Sequence, residues 1–264
     1  MTRFHGGHRK TSLGILIALV LSPVPALAAG DNVGFEPQYW DQAMDGSIRV
    51  DGDTLEGTEI DLRDSLGLEE KDRIPSGRIW IHWLKRNYLS YTAYHSQRHG
   101  EEVLASSLVF NDQAFAAGEE VQSRVETDLK SLVYGYDFLA HRLVRIGFRL
   151  GANRLGFDAK LDSVSSPAAA SSSETITFPV AGLGITFEPI PLLRFIGEIN
   201  GVSGSLHGNE GTFYDARIQA EVYWWRFFGI ITGYRRMKTD VDLESFGTAN
   251  VTQKGPYAGF VFRF

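Results

Sequence analysis

The segment TFYDARIQAEVYWW alternates without a break. Tyr214, Ala216, Ile218, Ala220, Val222 and Trp224 fall on one face of an extended chain, and Asp215, Arg217, Gln219 and Glu221 fall on the other. A strand of this kind lies between an apolar and a charged environment. The pattern recurs in RLVRIGFRLGAN, where Val144, Ile146, Phe148, Leu150 and Ala152 oppose Arg145, Gly147, Arg149, Gly151 and Asn153. It recurs more weakly in LLRFIGEING, where Leu193, Phe195 and Ile199 oppose Arg194, Glu198 and Asn200, with Ile196 on the polar side. In the last residues, Phe260, Phe262 and Phe264 oppose Tyr257, Gly259, Val261 and Arg263.

Read this way, the chain holds about ten strands, with eight to twelve as the bracket, near 35–50, 77–85, 88–98, 121–138, 142–158, 175–188, 192–206, 212–225, 228–242 and 250–264. Each meets or approaches the roughly 9–11 tilted residues with which a strand crosses a bilayer. Tight turns near Arg86, His141, Pro189–Pro191 and Arg226 alternate with long connections at 51–76, 99–120 and 160–173. The third of these, KLDSVSSPAAASSSE, has little apolar surface and is expected to be an unordered loop. No internal repeat or linker divides the chain.

The first segment stands apart. Arg3, Arg9 and Lys10 precede the apolar run SLGILIALVL, and small residues follow at Ala26–Ala28, which together read as a secretory signal peptide over 1–28. A single domain over 29–264 is then expected. The whole chain carries 26 basic and 32 acidic residues. Subtracting the three basic residues of the leader leaves 26 − 3 = 23, a net charge of 23 − 32 = −9, which argues against a nucleic-acid partner. With no cysteine, no disulfide framework is available despite the export signal. After the leader, no stretch reaches the roughly 18 uninterrupted apolar residues of a spanning helix.

Alternation alone does not say which face is outside, since a soluble lipocalin-like barrel shows the same period. Aromatic residues decide it by crowding the tight-turn end. Trp83, Tyr88, Phe138, Phe187, Trp224, Trp225, Phe227, Phe228 and Phe264 all sit there, as a membrane-interface girdle would. The opposite face carries Arg145, Arg149, Glu198, Asp215, Arg217, Glu221 and Arg235 in mixed sign, as a narrow lumen requires if its charges are to be paired. In hydrocarbon every backbone donor and acceptor must find a partner, so such a sheet enters a membrane only as a closed barrel. The expected fold is therefore all-β, a transmembrane antiparallel up-and-down barrel with short periplasmic turns and long extracellular loops.

The ending YAGFVFRF resembles the carboxy-terminal signature of Gram-negative outer-membrane β-barrels, a terminal Phe preceded by alternating hydrophobic or aromatic residues. The resemblance implies residence in the cell outer membrane, contact with its lipid, and reading of Phe260, Phe262 and Phe264 by the barrel-assembly machinery.

Candidate chemistry is sparse. VDGDTLEGTEIDL fails as a calcium loop, because Leu55, Glu56 and Leu62 stand where an oxygen ligand, Gly and Glu are needed. A solvated acidic loop fits better. In EIDLRDSLGLEE, Ile60, Leu62, Leu66 and Leu68 can form a short helix over the barrel mouth, with Gly67 ending it, or equally a surface turn with incidental leucines. The omptin proteases, outer-membrane barrels of about ten strands, place an aspartate pair and an aspartate–histidine pair on the outer rim. Here Asp51 and Asp53 fall at one such rim and His207 at another, but Ser205 replaces the aspartate two residues before it. A histidine without its orienting carboxylate is a poor general base. A lipid-deacylase reading of His95 and Ser96 fails because adjacent strand residues point to opposite faces. No cofactor or metal is expected. The sequence thus points to a non-enzymatic barrel with a charge-filled or narrow lumen, serving restricted solute passage or surface interaction, with a rim-located hydrolase as the alternative.

Overall fold

The computed structural model describes residues 33–206, 209–243 and 247–264. The predicted leader at 1–28 and His207 lie outside the described residues. Among the described residues thirteen strands succeed one another: β1 (Val33–Val50), β2 (Ile60–Asp61), β3 (Lys71–Trp83), β4 (Asn87–Val103), β5 (Leu108–Phe110), β6 (Gln113–Phe115), β7 (Glu120–Ala140), β8 (Val144–Ser163), β9 (Ala169–Ile190), β10 (Leu193–Leu206), β11 (Asn209–Trp225), β12 (Phe228–Leu243) and β13 (Gly247–Arg263). Among the described residues no helix is long and apolar enough to cross a membrane.

Ten of these strands form a closed ring in chain order: β1, β3, β4 and then β7 through β13, each antiparallel to its neighbour, with β13 pairing back onto β1. Closure runs the length of the seam, from Gly34 opposite Arg263 to Val50 opposite Gly247. The ten-strand ring has no free edge, which is what hydrocarbon demands of a strand-built structure.

The alternation is resolved as the sequence predicts. Ile218, Leu150, Phe148, Ile199, Leu183 and Trp224 are exposed on the outer wall, while Arg149, Arg194, Gln219, Glu221 and Arg235 are buried inside. On each strand the outward residues run from the tight turn through mostly aromatic and aliphatic side chains to a first charged side chain or histidine, or to the strand's outer polar end. Between the turns and that point the wall carries no ionisable side chain other than tyrosine: Phe35, Pro37, Tyr39 on β1, Leu132, Tyr134, Tyr136 on β7, Phe228, Ile230, Thr232, Tyr234 on β12. Such a charge-free band is a lipid-facing surface.

At one end the connections at 84–86, 141–143, 191–192 and 226–227 are tight. At the other end the expected loop at 160–173 does not exist as such. There β8 and β9 continue as a long hairpin, pairing Lys160 with Ser171 and Asp162 with Ala169, and only 164–168 turn. Small Ala and Ser side chains bury little, but the ladder of backbone hydrogen bonds begun in the barrel propagates through them. The expected helix at 60–68 is also absent. Asp61 accepts from the backbone N–H groups of Arg63 and Asp64 at 2.8 Å, Gly67 N–H bonds Arg63 O at 3.0 Å, and Gly67, at φ +60°, ends a single turn. One turn is enough to aim all four apolar side chains inward.

Candidate functional site

The lumen is filled in two storeys. The one nearer the tight turns carries the charges, set among buried side chains such as Trp40, Tyr223, Ile231, Tyr257 and Val261. Glu198 sits at its centre: Arg78 Nη2 reaches Oε1 at 3.0 Å and Arg217 Nε reaches Oε2 at 2.9 Å, while Arg149 Nε lies 3.9 Å away. Arg149 donates to Asp137 at 3.0 Å and, like Arg78, lies over the Tyr88 ring. Toward the turns, Arg194 bridges Glu188 (3.2 Å) and Glu221 (3.4 Å), Tyr223 donates to Glu221, and Arg263 stacks 3.7 Å above Tyr223. Toward the other end, Arg235 grips Asp215 with two bonds of 2.9 and 2.7 Å, over Trp40 and Tyr94.

Buried ions must be matched nearly one for one, because an uncompensated charge in this environment costs several kcal/mol. The matching is also steric. A Cβ on Gly135, Gly147 or Gly184 would stand 2.6–2.7 Å from the Arg149 guanidinium. These three lumen-facing glycines leave the space the arginine occupies.

Every lumen residue predicted from sequence points inward: Arg145, Arg149, Glu198, Asp215, Arg217, Glu221 and Arg235. All but Arg145 take part in the pairs just described. Arg145 lines a cleft at the turn end with Lys85, His141, Arg142 and Glu188. The sequence reading missed Glu36, Arg78, Asp137 and Glu188. Glu36 is fully buried, accepting from Trp80 Nε1 at 2.7 Å. Its signal was available in FEPQYWDQ, where Glu36, Gln38, Trp40 and Gln42 share a face.

The other storey is apolar. Ile60, Leu62, Leu66 and Leu68 from the 51–70 connection join Leu104, Leu108, Phe110 and Phe115 from the β5–β6 hairpin. Together they pack on the lumen side chains Met44, Ile48, Val50, Val121, Val125, Ala159, Leu161, Ala249 and Val251. The two connections are knitted together. Asp112, at the tip of the hairpin, accepts from the backbone N–H groups of Asp53, Thr54 and Leu55 at 2.8–3.0 Å and from the Thr54 hydroxyl at 2.9 Å. The Thr54 hydroxyl and the loop N–H groups hold the Asp112 carboxyl below the usual range. Glu119 is lowered likewise by the Ser163 and Ser166 hydroxyls and the Ala116 N–H. Beside this plug a small apolar cavity of about 40 Å³ remains, lined in part by Leu155, Phe157, Ile176 and Val241.

Of the acidic-loop carboxylates, Asp51, Glu56, Glu59 and Asp61 are engaged locally. Asp51 accepts from Gly57 N–H at 2.7 Å and pairs with Arg49 at 3.2 Å. His95 is half exposed on the outer wall, bonded to Asp128 at 3.0 Å, whereas Ser96 is buried in the lumen, so the two do not meet. No cluster of three metal-ligating side chains occurs among the described residues.

On the outer wall Trp224, Trp225 and Phe227 stand exposed at the tight-turn end, with Phe228 touching Trp224, Trp225, Phe260 and Phe262 and Trp83 lying near Tyr134. Phe260, Phe262 and Phe264 all point outward, and Phe264 is 72% exposed. A set not foreseen lies farther out, where Tyr39 and Tyr234 each precede the first charged outward residue of their strand, Asp41 and Arg236.

A closed antiparallel ring of ten strands, apolar outside and charged inside, defines a transmembrane β-barrel of the outer-membrane type. No protein-family model matches the sequence, and no curated protein matches it. Solved structures do. The outer-membrane protease OmpT of Escherichia coli is similar over 89% of this chain and 97% of its own, with a TM-score of 0.56 and 10% identity. The translocator domain of the autotransporter NalP of Neisseria meningitidis covers 89% of this chain and 90% of its own (TM-score 0.49, 12% identity). Ail, the attachment invasion locus protein of Yersinia pestis, covers 88% and 99% (TM-score 0.38, 13% identity). At these identities the likeness to OmpT concerns the fold.

Proposed function

We propose that this barrel is non-enzymatic and does not serve as an open channel, and that it acts at its outer mouth, presenting the plug and the surrounding strand ends to the exterior of the cell. One observation carries the reading: the lumen is occupied along its length, by ion pairs around Glu198 and Asp215 and by packed loop residues around Leu62 and Phe110. Ten strands also fall well below the roughly 16–18 that leave an aqueous channel. The chain's acidic balance and the ordered connections at 51–70 and 104–119 give the mouth a defined, largely polar exterior over an apolar anchor.

Single-channel recording tests it. Purified protein, checked for the compact mobility of a folded barrel, is expected to give no discrete current steps in a planar bilayer. Steady steps from the folded wild type would overturn the reading and make the arginine lining a filter.

A further inference from the structure

Two like-charged pairs stand at the outer border of the charge-free band. Lys130 on β7 is directly opposite Arg154 on β8, and Arg236 on β12 is directly opposite Lys254 on β13. All four side chains face outward. In a ring of ten strands the two pairs lie five strands apart, on opposite sides of the barrel.

Directly opposed residues have Cβ atoms about 5 Å apart, and like charges in that position repel. A sequence under no other demand would avoid the arrangement. The nearest carboxylates on the strand make their contacts elsewhere than at the first pair. Asp128, one step outward and opposite Gly156, is bonded by His95 at 3.0 Å, and Glu126 is taken by Arg124. Among the described residues neither Lys130 nor Arg154 has an ion-pair partner. In the second pair, Lys254 holds Asp45 at 3.2 Å, but Arg236 has no such partner among the described residues.

Position says what the missing counter-charge is. One step toward the turns from Lys130 and Arg154 are Leu132 and Ala152, inside the apolar band, and the flanking strands present Ala93 and Thr177 at the same level. Two cations one residue step above hydrocarbon stand at the level of lipid headgroups, where a lysine and an arginine bind phosphate oxygens with short, charge-assisted bonds. We infer that Lys130 and Arg154 form a binding site for the phosphate of an outer-leaflet lipid, with Arg236 and Lys254 a second such site across the barrel.

The experiment uses folded full-length protein in neutral detergent, with bisphosphorylated lipid A and its dephosphorylated counterpart as probes. Retention is read by native mass spectrometry, and heat stability by the shift from folded to unfolded mobility. The wild type is expected to retain the phosphorylated probe and lose most of it when the phosphates are removed. The pair of changes Lys130→Gln and Arg154→Gln should weaken retention about tenfold, and in lipid-free detergent should raise the unfolding temperature by removing the repulsion. Lys160→Gln, at a residue already held by Asp162, serves as the control and should leave retention unchanged and not raise the unfolding temperature. Equal retention by wild type and the double variant, or complete competition by inorganic phosphate, would overturn the assignment.

Discussion

Val33 and Phe264 exchange both of their backbone hydrogen bonds, Val33 N–H to Phe264 O at 3.1 Å and Phe264 N–H to Val33 O at 2.8 Å. The barrel is therefore sealed at the tight-turn end by backbone atoms, while the Phe264 ring remains on the outer wall. This separates two roles. Phe264→Ala keeps the seal and removes only the exposed ring, so refolding in detergent should change by no more than about 0.5 kcal/mol, as for an exposed substitution. Assembly in cells should fall much more, if the ring is what the assembly machinery reads. Equal loss in both settings would make the ring a packing element.

The outer wall sets a second expectation. Ile218 is 66% exposed at the level of the band, so Ile218→Arg places a charge in hydrocarbon and should cost about 2–4 kcal/mol of refolding free energy in lipid vesicles. Thr212→Arg, outward on the same strand and six residues farther out, should cost about 1 kcal/mol or less. Denaturant titration in vesicles reads both, and similar costs would move the band.

Glu198 is the shared acceptor of Arg78 and Arg217. Glu198→Gln leaves two buried guanidinium groups short of counter-charge, and a loss of about 3–5 kcal/mol is expected. Breaking the exposed Lys160–Asp162 pair should cost about 1 kcal/mol at most. The same titrations measure both.

These residues mark how far the sequence could be read. Facing was legible because it is a property of i and i+2, and the wall residues around Ile218 and the lumen residues around Arg217 needed no partner to be assigned. Pairing was not. Arg78 meets Glu198 across 120 positions, and no local period announces such a contact. The plug was half visible: Leu62 and Leu66 have helical spacing, but that they descend into the barrel depends on the hairpin at Leu108–Phe115, whose three-residue strands resemble loop. The hairpin beyond Lys160 was misread because apolar content was used to judge order, where backbone pairing to an existing strand supplies it.

The glycines around Arg149 allow a steric test. At Gly184 a Cβ would lie 2.6 Å from the guanidinium, which is buried and tied to Asp137 at 3.0 Å. Gly184→Ala should cost about 1–3 kcal/mol by overpacking. Gly204→Ala, where a Cβ meets nothing within 4 Å, should be neutral.

The plug should loosen in acid. The Asp112 carboxyl is held below the ordinary aspartate value of 3.8 by the Thr54 hydroxyl and the Thr54, Leu55 and Asp53 N–H groups, and Glu119 is held below the ordinary glutamate value of 4.5 by the Ser163 and Ser166 hydroxyls. A carboxyl whose folded value is depressed contributes stability that is fully present above its unfolded value and is lost as pH falls through the folded one. Protection of the 51–70 and 104–119 segments from hydrogen exchange, corrected for the intrinsic pH dependence, should be level from neutrality down to about pH 4 and decline below it. Asp112→Asn removes an acceptor charge that four donors share, so it should lower protection of the 51–70 segment already at neutral pH and flatten the acid decline there, while β7 and β8 in the barrel wall stay protected. A variant with wild-type protection at neutral pH would mean that the two connections are held in the mouth by the apolar contacts of Leu62 and Phe110 alone, with Asp112 incidental to the seal.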